Sequence, residues 1–130
     1  MDHVPAESLD WEPAPAEHFT GKVWFGAMYP PAHDQDLNVL GVTFEPGART
    51  DWHTHPAGQV LSIVSGSGLV GTAAGETVRV GPGDTVYAPA GELHWHGAAP
   101  DSPMMHLSIT YGGATEWAPD KVSDDQYGTG

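Results

Sequence analysis

The stretch "GARTDWHTHPAGQVLSIVSG", residues 47–66, decides the fold. It places His53 and His55 two positions apart, adds Gln59 after the turn sequence "PAG", and returns to a β-branched run that ends in glycine. In a strand, residues two apart point to the same face, so the two histidines are predicted to project side by side. Such a pair can share one metal ion, and Gln59 can turn its amide oxygen to the same ion. A His-x-His pair alone is a weak signal, because most such pairs are surface or hydrogen-bonded pairs.

Two downstream segments repeat this chemistry. The sequence "GELHWHG", residues 91–97, again places histidines two positions apart, at His94 and His96. The sequence "MMHLSITYG", residues 104–112, alternates polar and apolar side chains, and such alternation directs one set toward a cavity and the other into packing. The polar set is His106, Ser108 and Thr110. Most histidines of the chain are therefore grouped in motifs rather than scattered.

Short strands separated by turn residues dominate the chain. Seven segments are rich in β-branched and aromatic residues and are bounded by Gly, Pro, Asp or Ser, a pattern typical of strands. Seven or more such strands at close spacing predict an all-β sandwich or barrel. The segments are residues 21–29, 37–45, 59–66, 68–73, 76–81, 84–89 and 104–112.

The domain organisation follows from length and composition. The length of 130 residues fits one domain with a single core. Residues 1–18 mix Pro, Ala, Glu and Asp without apolar periodicity, which predicts a flexible or barrel-wrapping N-terminal arm. We expect the barrel over residues 19–118 and a C-terminal tail over residues 119–130, with a helical turn around "DKVSDDQY".

Charge and cysteine content narrow the functional classes. Seventeen acidic residues against four basic ones give a formal net charge of −13, which repels phosphate and anionic lipid, so we expect no nucleic acid or membrane partner. The chain has no cysteine, which rules out disulfides, thiolate metal sites and a cysteine nucleophile. It has no apolar run of about 18 residues, and its acidic, proline-rich N-terminus is unlike a signal peptide. We therefore expect a soluble cytoplasmic protein.

The two histidine motifs resemble those of the cupin superfamily. Residues 47–66 read as glycine, five residues, His-x-His, three residues, Gln59, six residues and glycine, which is the first cupin motif with glutamine in place of the usual glutamate. The stretch "GDTVYAPAGELHWHGA", which begins at Gly83, fits the second motif. The likeness covers roughly residues 20–118 and implies an all-β, single-domain cupin, a jelly-roll-type β-barrel that holds one divalent metal ion. The ligands that it implies are His53, His55, Gln59 and His94.

A closer resemblance is to the small bacterial cupin hydroxynitrile lyases, manganese-dependent enzymes that interconvert cyanohydrins with an aldehyde or ketone and hydrogen cyanide. It is carried by the three-histidine, one-glutamine set, by "VTFEPGARTDWHTHPAGQ" and "HWHGAAP", and by the endings "HLSIT" and "SDDQY". It implies that His96 and His106 handle protons in the substrate pocket. It also implies that Leu40, Val42 and Thr110 line this pocket, where Leu40 is bulkier than the small residue expected at its position.

Gln59 changes the electrostatics of the predicted metal site. Three neutral imidazoles and a neutral amide leave a divalent ion its full charge of +2, whereas a glutamate would reduce the net charge to +1. A more positive ion is a stronger Lewis acid toward an alcohol or carbonyl oxygen, and such a site binds metal less tightly. The donor set accepts Mn²⁺, which the resemblance favours, as well as Fe²⁺, Zn²⁺, Ni²⁺ and Co²⁺.

Several functions share this type of barrel, so alternatives stay open. The leading interpretation is a hydroxynitrile lyase that acts on a small-molecule substrate, with the metal as Lewis acid and His96 and His106 as proton carriers. The alternatives are a mononuclear metal dioxygenase, in which open positions at a redox metal bind oxygen, and a non-catalytic cupin that binds a small ligand. An open edge strand and an apolar outer face also predict a homodimer or homotetramer.

Overall fold

Thirteen short strands and one helix make up the computed structural model, which describes residues 1–30, 33 and 36–128. The helix α1 comprises Asp124–Gly128, and 3₁₀ turns occupy Ala6–Ser8 and Ala16–His18. The strands are β1 (Trp11–Pro13), β2 (Phe19–Thr20), β3 (Val23–Tyr29), β4 (Asn38–Phe44), β5 (Arg49–Thr50), β6 (His53–Thr54), β7 (Gln59–Gly66), β8 (Gly68–Thr72), β9 (Thr77–Val80), β10 (Thr85–Ala88), β11 (His94–Ala98), β12 (Met104–Thr110) and β13 (Glu116–Trp117).

The strands form two antiparallel sheets. The first sheet has the order β1-β3-β4-β12-β7-β10. In the second sheet β11 is central. On one side it pairs with β8, which in turn pairs with β9. On the other side it pairs with β5 and β6, of which β5 also pairs with β2 and β6 with β13. Strands distant in sequence, such as β4 and β12, are neighbours, so the chain crosses repeatedly between the sheets. The predicted all-β barrel of jelly-roll type is confirmed.

The core lies between the sheets, because alternate residues of each strand point inward. On four strands, the row of inward-pointing residues is apolar at one end of the barrel and polar or half-buried at the other end. The filled end is therefore an apolar core, and the opposite end is a cavity lined by polar side chains. The rows run from Phe44 to Asn38 on β4, from Ile63 to Gln59 on β7, from Ala98 to His94 on β11 and from Met104 to Thr110 on β12.

The predicted strands are all present, with ends that differ by one or two residues at most. The sequence pattern misses β11, because its residues are buried on both faces and "HWHGA" lacks β-branched side chains. The prediction that His53 and His55 share one strand is wrong, because β6 ends at Thr54 and a turn follows. Both rings are nevertheless buried in the barrel interior, with 2% and 4% of their surface exposed.

The N-terminal segment adds a strand to the first sheet. Residues of β1 pair with β3, in the register Trp11 opposite Gly26. The indole of Trp11 lies over Gly26 and Gly41, where an added Cβ would come within 2.9 and 2.8 Å of its ring atoms. Glycine at these two positions therefore allows the indole to lie flat on the sheet.

The C-terminal segment covers the outer face of the second sheet. The buried guanidinium of Arg49 donates to the carbonyl of Val122 and to Asp124, both at under 3 Å, and lies over the ring of Tyr127. The hydroxyl of Tyr127 donates to the carbonyl of Ala98 on β11. Helix α1 has five residues, and over residues 1–30, 33 and 36–128 no helix is long and apolar enough to cross a membrane.

Candidate metal centre

The six residues predicted as ligands or proton carriers, five histidines and one glutamine, come from four parts of the barrel and meet at its polar end. Strand β6 and the residue after it supply one histidine pair, β7 begins with the glutamine, β11 supplies the second pair and β12 the last histidine. All are buried, with at most 4% of their surface exposed. They are His53, His55, Gln59, His94, His96 and His106.

Backbone carbonyls set the tautomer of two of these histidines. Nδ1 of His53 lies 2.9 Å from the carbonyl oxygen of Asp51, and Nδ1 of His94 lies 2.8 Å from that of Glu92. A carbonyl oxygen only accepts hydrogen bonds, so each Nδ1 carries the proton and each neutral ring presents a lone pair at Nε2. Metal-ligating histidines adopt this arrangement, because the second ring nitrogen fixes the orientation of the ring.

Gln59 directs its amide oxygen at the same point. Its Nε2 donates to the hydroxyl oxygen of Ser108 at 2.7 Å, and its Oε1 lies 3.0 Å from Nε2 of His94. Since Nε2 of neutral His94 is a lone pair, two acceptors face each other at that distance. A cation beside both atoms turns this repulsion into shared coordination, so the donor set fits a divalent metal ion.

A third ring, either His55 or His96, completes a three-histidine site. Nε2 of His55 and Nε2 of His96 are both buried without a hydrogen-bond partner among the described residues. The nitrogen donors of His53, His94 and His96 lie within 4.8 Å of one another, and this tightest cluster contains His96 where the motif predicts His55. Because the unpartnered Nε2 of His55 also requires a partner, His55 stays the predicted third ligand, and His96 lies immediately beside the same centre.

His96 and His106 contact each other directly. Nε2 of His106 lies 3.0 Å from Nδ1 of His96, and the outer nitrogen of each ring, Nε2 of His96 and Nδ1 of His106, has no partner within the described chain. The backbone N–H of His96 donates to the hydroxyl oxygen of Thr50, which fixes this part of β11. The two rings therefore form a short hydrogen-bonded chain with one free nitrogen at each end.

Burial keeps the histidines of the site uncharged. Loss of hydration lowers the pKa of His55 to about 4 and that of His106 to about 3. Burial also lowers the pKa of His94, and it lowers the pKa values of His53 and His96 well below the usual value, with neighbouring histidine rings as a further cause. Near neutral pH the rings are therefore lone-pair donors, the form that metal binding and proton acceptance both require.

A cavity of about 70 Å³ opens beside the donor atoms. This volume is several times that needed for one water molecule, so the cavity admits a small molecule. The predicted lining residues Leu40, Val42 and Thr110 all border it. Ser108, a member of the polar set on β12, also borders the cavity. The other walls of the cavity, which sequence reasoning missed, are Phe19, Phe25, Asn38, Thr50, Thr115 and Trp117.

One aromatic wall of the cavity comes from the two ends of the chain. The ring of Phe19 on β2 contacts those of Phe25 and Trp117 edge to face, at centroid distances of 5.5 and 5.7 Å. Trp117 on β13 also lies opposite His53 in the sheet register. His18, which lies outside both histidine motifs, is half-buried and stacks on Trp117 at 4.3 Å. No local pattern marks these terminal residues, whereas the alternation on β12 marks Ser108.

Comparisons with known proteins agree with this geometry. The family model described as the Cupin domain matches residues 41–110. The chain is 43% identical over 116 residues to a protein named (R)-mandelonitrile lyase from Granulicella tundricola, covering 87% of this chain and 88% of that protein. Its structure resembles that of a cupin-like protein from Thermotoga maritima, with a TM-score of 0.85, 35% identity and 90% of each chain covered.

A more distant structural relative extends the comparison. The polyketide cyclase RemF from Streptomyces resistomycificus has a TM-score of 0.76 at 20% identity, with 98% of this chain and 90% of that chain covered, which shows the shared fold alone. The buried three-histidine site and the relative named as a lyase support a metal-dependent enzyme. From its two motifs, its jelly-roll barrel and the match over residues 41–110, the chain belongs to the cupin family.

Proposed function

We propose that this protein is a hydroxynitrile lyase, which splits a cyanohydrin into an aldehyde or ketone and hydrogen cyanide and also catalyses the reverse reaction. The observation that carries the proposal is the contact between the uncharged His96–His106 pair and an all-neutral metal donor set. Of these residues, His53, His55, Gln59 and His96 line one small cavity. The relative named (R)-mandelonitrile lyase, 43% identical over most of both chains, supports the same reaction.

The proposed ligands are His53, His55, Gln59 and His94, and the proposed ion is Mn²⁺. None of these side chains contributes a negative charge when its ring or amide is neutral. When bound, the ion supplies a positive charge that stabilises the alkoxide developing from the cyanohydrin hydroxyl. Asp51 and Glu92 hold His53 and His94 through backbone carbonyls, so the donor nitrogens are oriented before substrate arrives.

The pair of His96 and His106 is proposed to move the protons. Cleavage breaks the bond between the carbinol carbon and the cyano carbon, the electron pair leaves with cyanide, and the hydroxyl oxygen becomes the carbonyl oxygen. The hydroxyl proton must be accepted and the cyanide ion must receive a proton. His96 borders the cavity, and its unpartnered Nε2 can accept the hydroxyl proton and return it to the departing cyanide. The 3.0 Å contact between Nδ1 of His96 and Nε2 of His106 orients the His96 ring for this transfer.

The cavity walls suit a substrate with an apolar, aromatic substituent. Leu40 and Val42 provide aliphatic contacts, and the rings of Phe19, Phe25 and Trp117 provide edges and faces for an aryl group. Thr110 adds a hydroxyl group at the end of the inward-pointing row of β12. We therefore propose mandelonitrile as a test substrate, with benzaldehyde as its carbonyl product.

The test is release of benzaldehyde and cyanide from racemic mandelonitrile. Protein stripped of metal and reloaded with Mn²⁺ is compared with the metal-free sample and with His53→Ala. We expect the loaded protein to be faster by at least on the order of 100-fold, because the ion and its ligand are both required for alkoxide stabilisation.

A matched control separates loss of a ligand from loss of any histidine. His3→Ala removes an exposed histidine outside both motifs and should leave the rate unchanged. Release by the loaded protein that does not exceed that of His53→Ala would rule out the lyase. Oxygen consumption on candidate substrates by the Fe²⁺-loaded protein would instead indicate the dioxygenase.

A further inference from the structure

Ser108 and Gln59 face each other across two neighbouring strands. Both side chains point into the barrel, Ser108 from β12 and Gln59 from β7, with 7% and 4% of their surface exposed. Nε2 of Gln59 donates to Oγ of Ser108 at 2.7 Å, and both residues line the cavity. The hydroxyl is thus next to a proposed ligand and beside the space that a substrate would occupy.

The direction of this hydrogen bond leaves the proton of Ser108 unused. An amide NH₂ group can only donate, so the hydroxyl oxygen of Ser108 must be the acceptor. A serine hydroxyl has one proton of its own, and in the described part of the chain its oxygen takes part in no other hydrogen bond. The Ser108 proton is therefore available to an acceptor that enters the cavity.

A glutamate in place of Gln59 would reverse this bond. A carboxylate only accepts hydrogen bonds, so the Ser108 hydroxyl would have to donate its proton to the second carboxylate oxygen. No donor would then remain on Ser108 for a substrate. Glutamine in the first motif therefore changes the direction of the hydrogen bond to Ser108 as well as the net charge of the metal site.

We propose that Ser108 donates a hydrogen bond to the carbonyl oxygen of the bound aldehyde. Gln59 leaves this proton available, because its amide NH₂ group uses the serine oxygen only as an acceptor. The Ser108 hydroxyl also stabilises the negative charge that develops on the carbonyl oxygen during cleavage. The inference rests on the proposed function for its substrate class and on Gln59 as a ligand. It does not depend on turnover, because benzaldehyde without cyanide binds and does not react.

The test is a double-mutant cycle on benzaldehyde binding to Mn²⁺-loaded protein, measured by isothermal titration calorimetry. The four proteins are the unmodified chain, Ser108→Ala, Gln59→Glu and the double variant. With Gln59 present, we expect Ser108→Ala to raise the dissociation constant about fivefold, which corresponds to ~1 kcal/mol for one neutral hydrogen bond. With glutamate at that position, we expect less than about a twofold further change, because the serine proton is already committed.

Controls make each outcome decisive. Ser62→Ala removes a serine hydroxyl from the opposite face of β7 and should leave benzaldehyde binding unchanged. Equal losses from Ser108→Ala in both backgrounds, or no loss with Gln59, would overturn the proposal, as would loss of manganese from Ser108→Ala. Coupling without mandelonitrile cleavage would support the role of Ser108 while rejecting the lyase.

Discussion

At the scale of single residues, buried histidines link stability to pH. An unfolded histidine has a pKa of about 6.5, whereas burial lowers the pKa of His55 to about 4 and that of His106 to about 3 in the folded protein. Between these values the unfolded chain binds more protons than the folded one, so the free energy of unfolding decreases as pH falls. The contribution is complete above pH ~6.5 and is lost progressively toward the folded pKa values.

We expect the metal-free protein to lose stability steeply between pH 6.5 and pH 4. Each such histidine contributes a slope of about 1.4 kcal/mol per pH unit in this window. Urea unfolding at several pH values measures the slope. His106→Asn should reduce it by one proton, because it removes a buried ring whose pKa is lowered by loss of hydration. A free energy of unfolding that is unchanged between pH 7 and pH 5 would contradict this account.

The histidine and glutamine positions of the site could be predicted because motif spacing encodes them. His53, His94 and Gln59 lie together at the polar end of the barrel, as their spacing and the cupin resemblance imply. Two features could not be predicted from spacing alone. The close approach of His96 to the donor cluster depends on how β11 pairs with β6, and the bond from Gln59 to Ser108 depends on the register of β7 and β12.

At the scale of elements, β11 and β8 pack closely against each other in the second sheet. Trp95 on β11 lies directly opposite Gly71 on β8, and its indole occupies the space that a Cβ at Gly71 would need. Trp95 is 1% exposed and is covered by Leu69, Val122 and Tyr127, so the indole has no room to withdraw.

We expect Gly71→Ala to lower the free energy of unfolding by about 1–3 kcal/mol, as overpacking of a filled core does. Gly81→Ala is the matched control, because an added Cβ there meets no atom within 4 Å and its backbone does not require glycine. Thermal and urea unfolding of both variants provide the comparison. Equal stability of the two variants would show that the indole moves freely.

Most strands that sequence reasoning found have one face buried and one face exposed or half-buried, whereas β8, buried on both faces, is predicted from its β-branched residues between turn residues. The residues of β7 and β12 alternate between the two faces, so the sequence of each strand shows a period of two in hydrophobicity. β11 is buried throughout, because the cavity lies on one face and the C-terminal segment covers the other. A strand of this kind has no alternation, and its existence depends on distant parts of the chain.

At the scale of the whole molecule, the outward residues of the described strands in the first sheet carry no charge, although the chain has 17 acidic residues. These outward residues are Trp11, Pro13, Trp24, Gly26, Met28, Val39, Gly41, Thr43, Val60, Ser62, Val64, Thr85, Tyr87, Met105, Leu107 and Ile109. With ~3.3 Å per residue and five gaps of about 4.8 Å between its six strands, this face of the sheet offers about 500 Å² per copy in projection. Two copies would bury about 1,000 Å², near the lower limit for a specific interface.

We expect a homodimer through this face, because net charge opposes contact between copies elsewhere on the surface. Val64→Asp places a charge at the face, whereas Val78→Asp places one on β9 of the other sheet, and the two valines are exposed to 46% and 49%. Light scattering after gel filtration should give a dimer for the unmodified chain and for Val78→Asp. Val64→Asp should raise the dissociation constant tenfold or more, by about 1.4 kcal/mol or more. A monomeric unmodified chain at micromolar concentration would exclude the dimer.

The origin of the aromatic wall has a consequence for how such an enzyme changes over evolutionary time. The proposed ligands and proton carriers lie between His53 and His106, whereas Phe19 and Trp117 come from segments outside that interval. Substitutions of side chains in either terminal segment can reshape the cavity without replacing any of the donor residues. Such substitutions can therefore diversify the substrates of this barrel while the chemistry encoded in the middle of the gene is inherited unchanged.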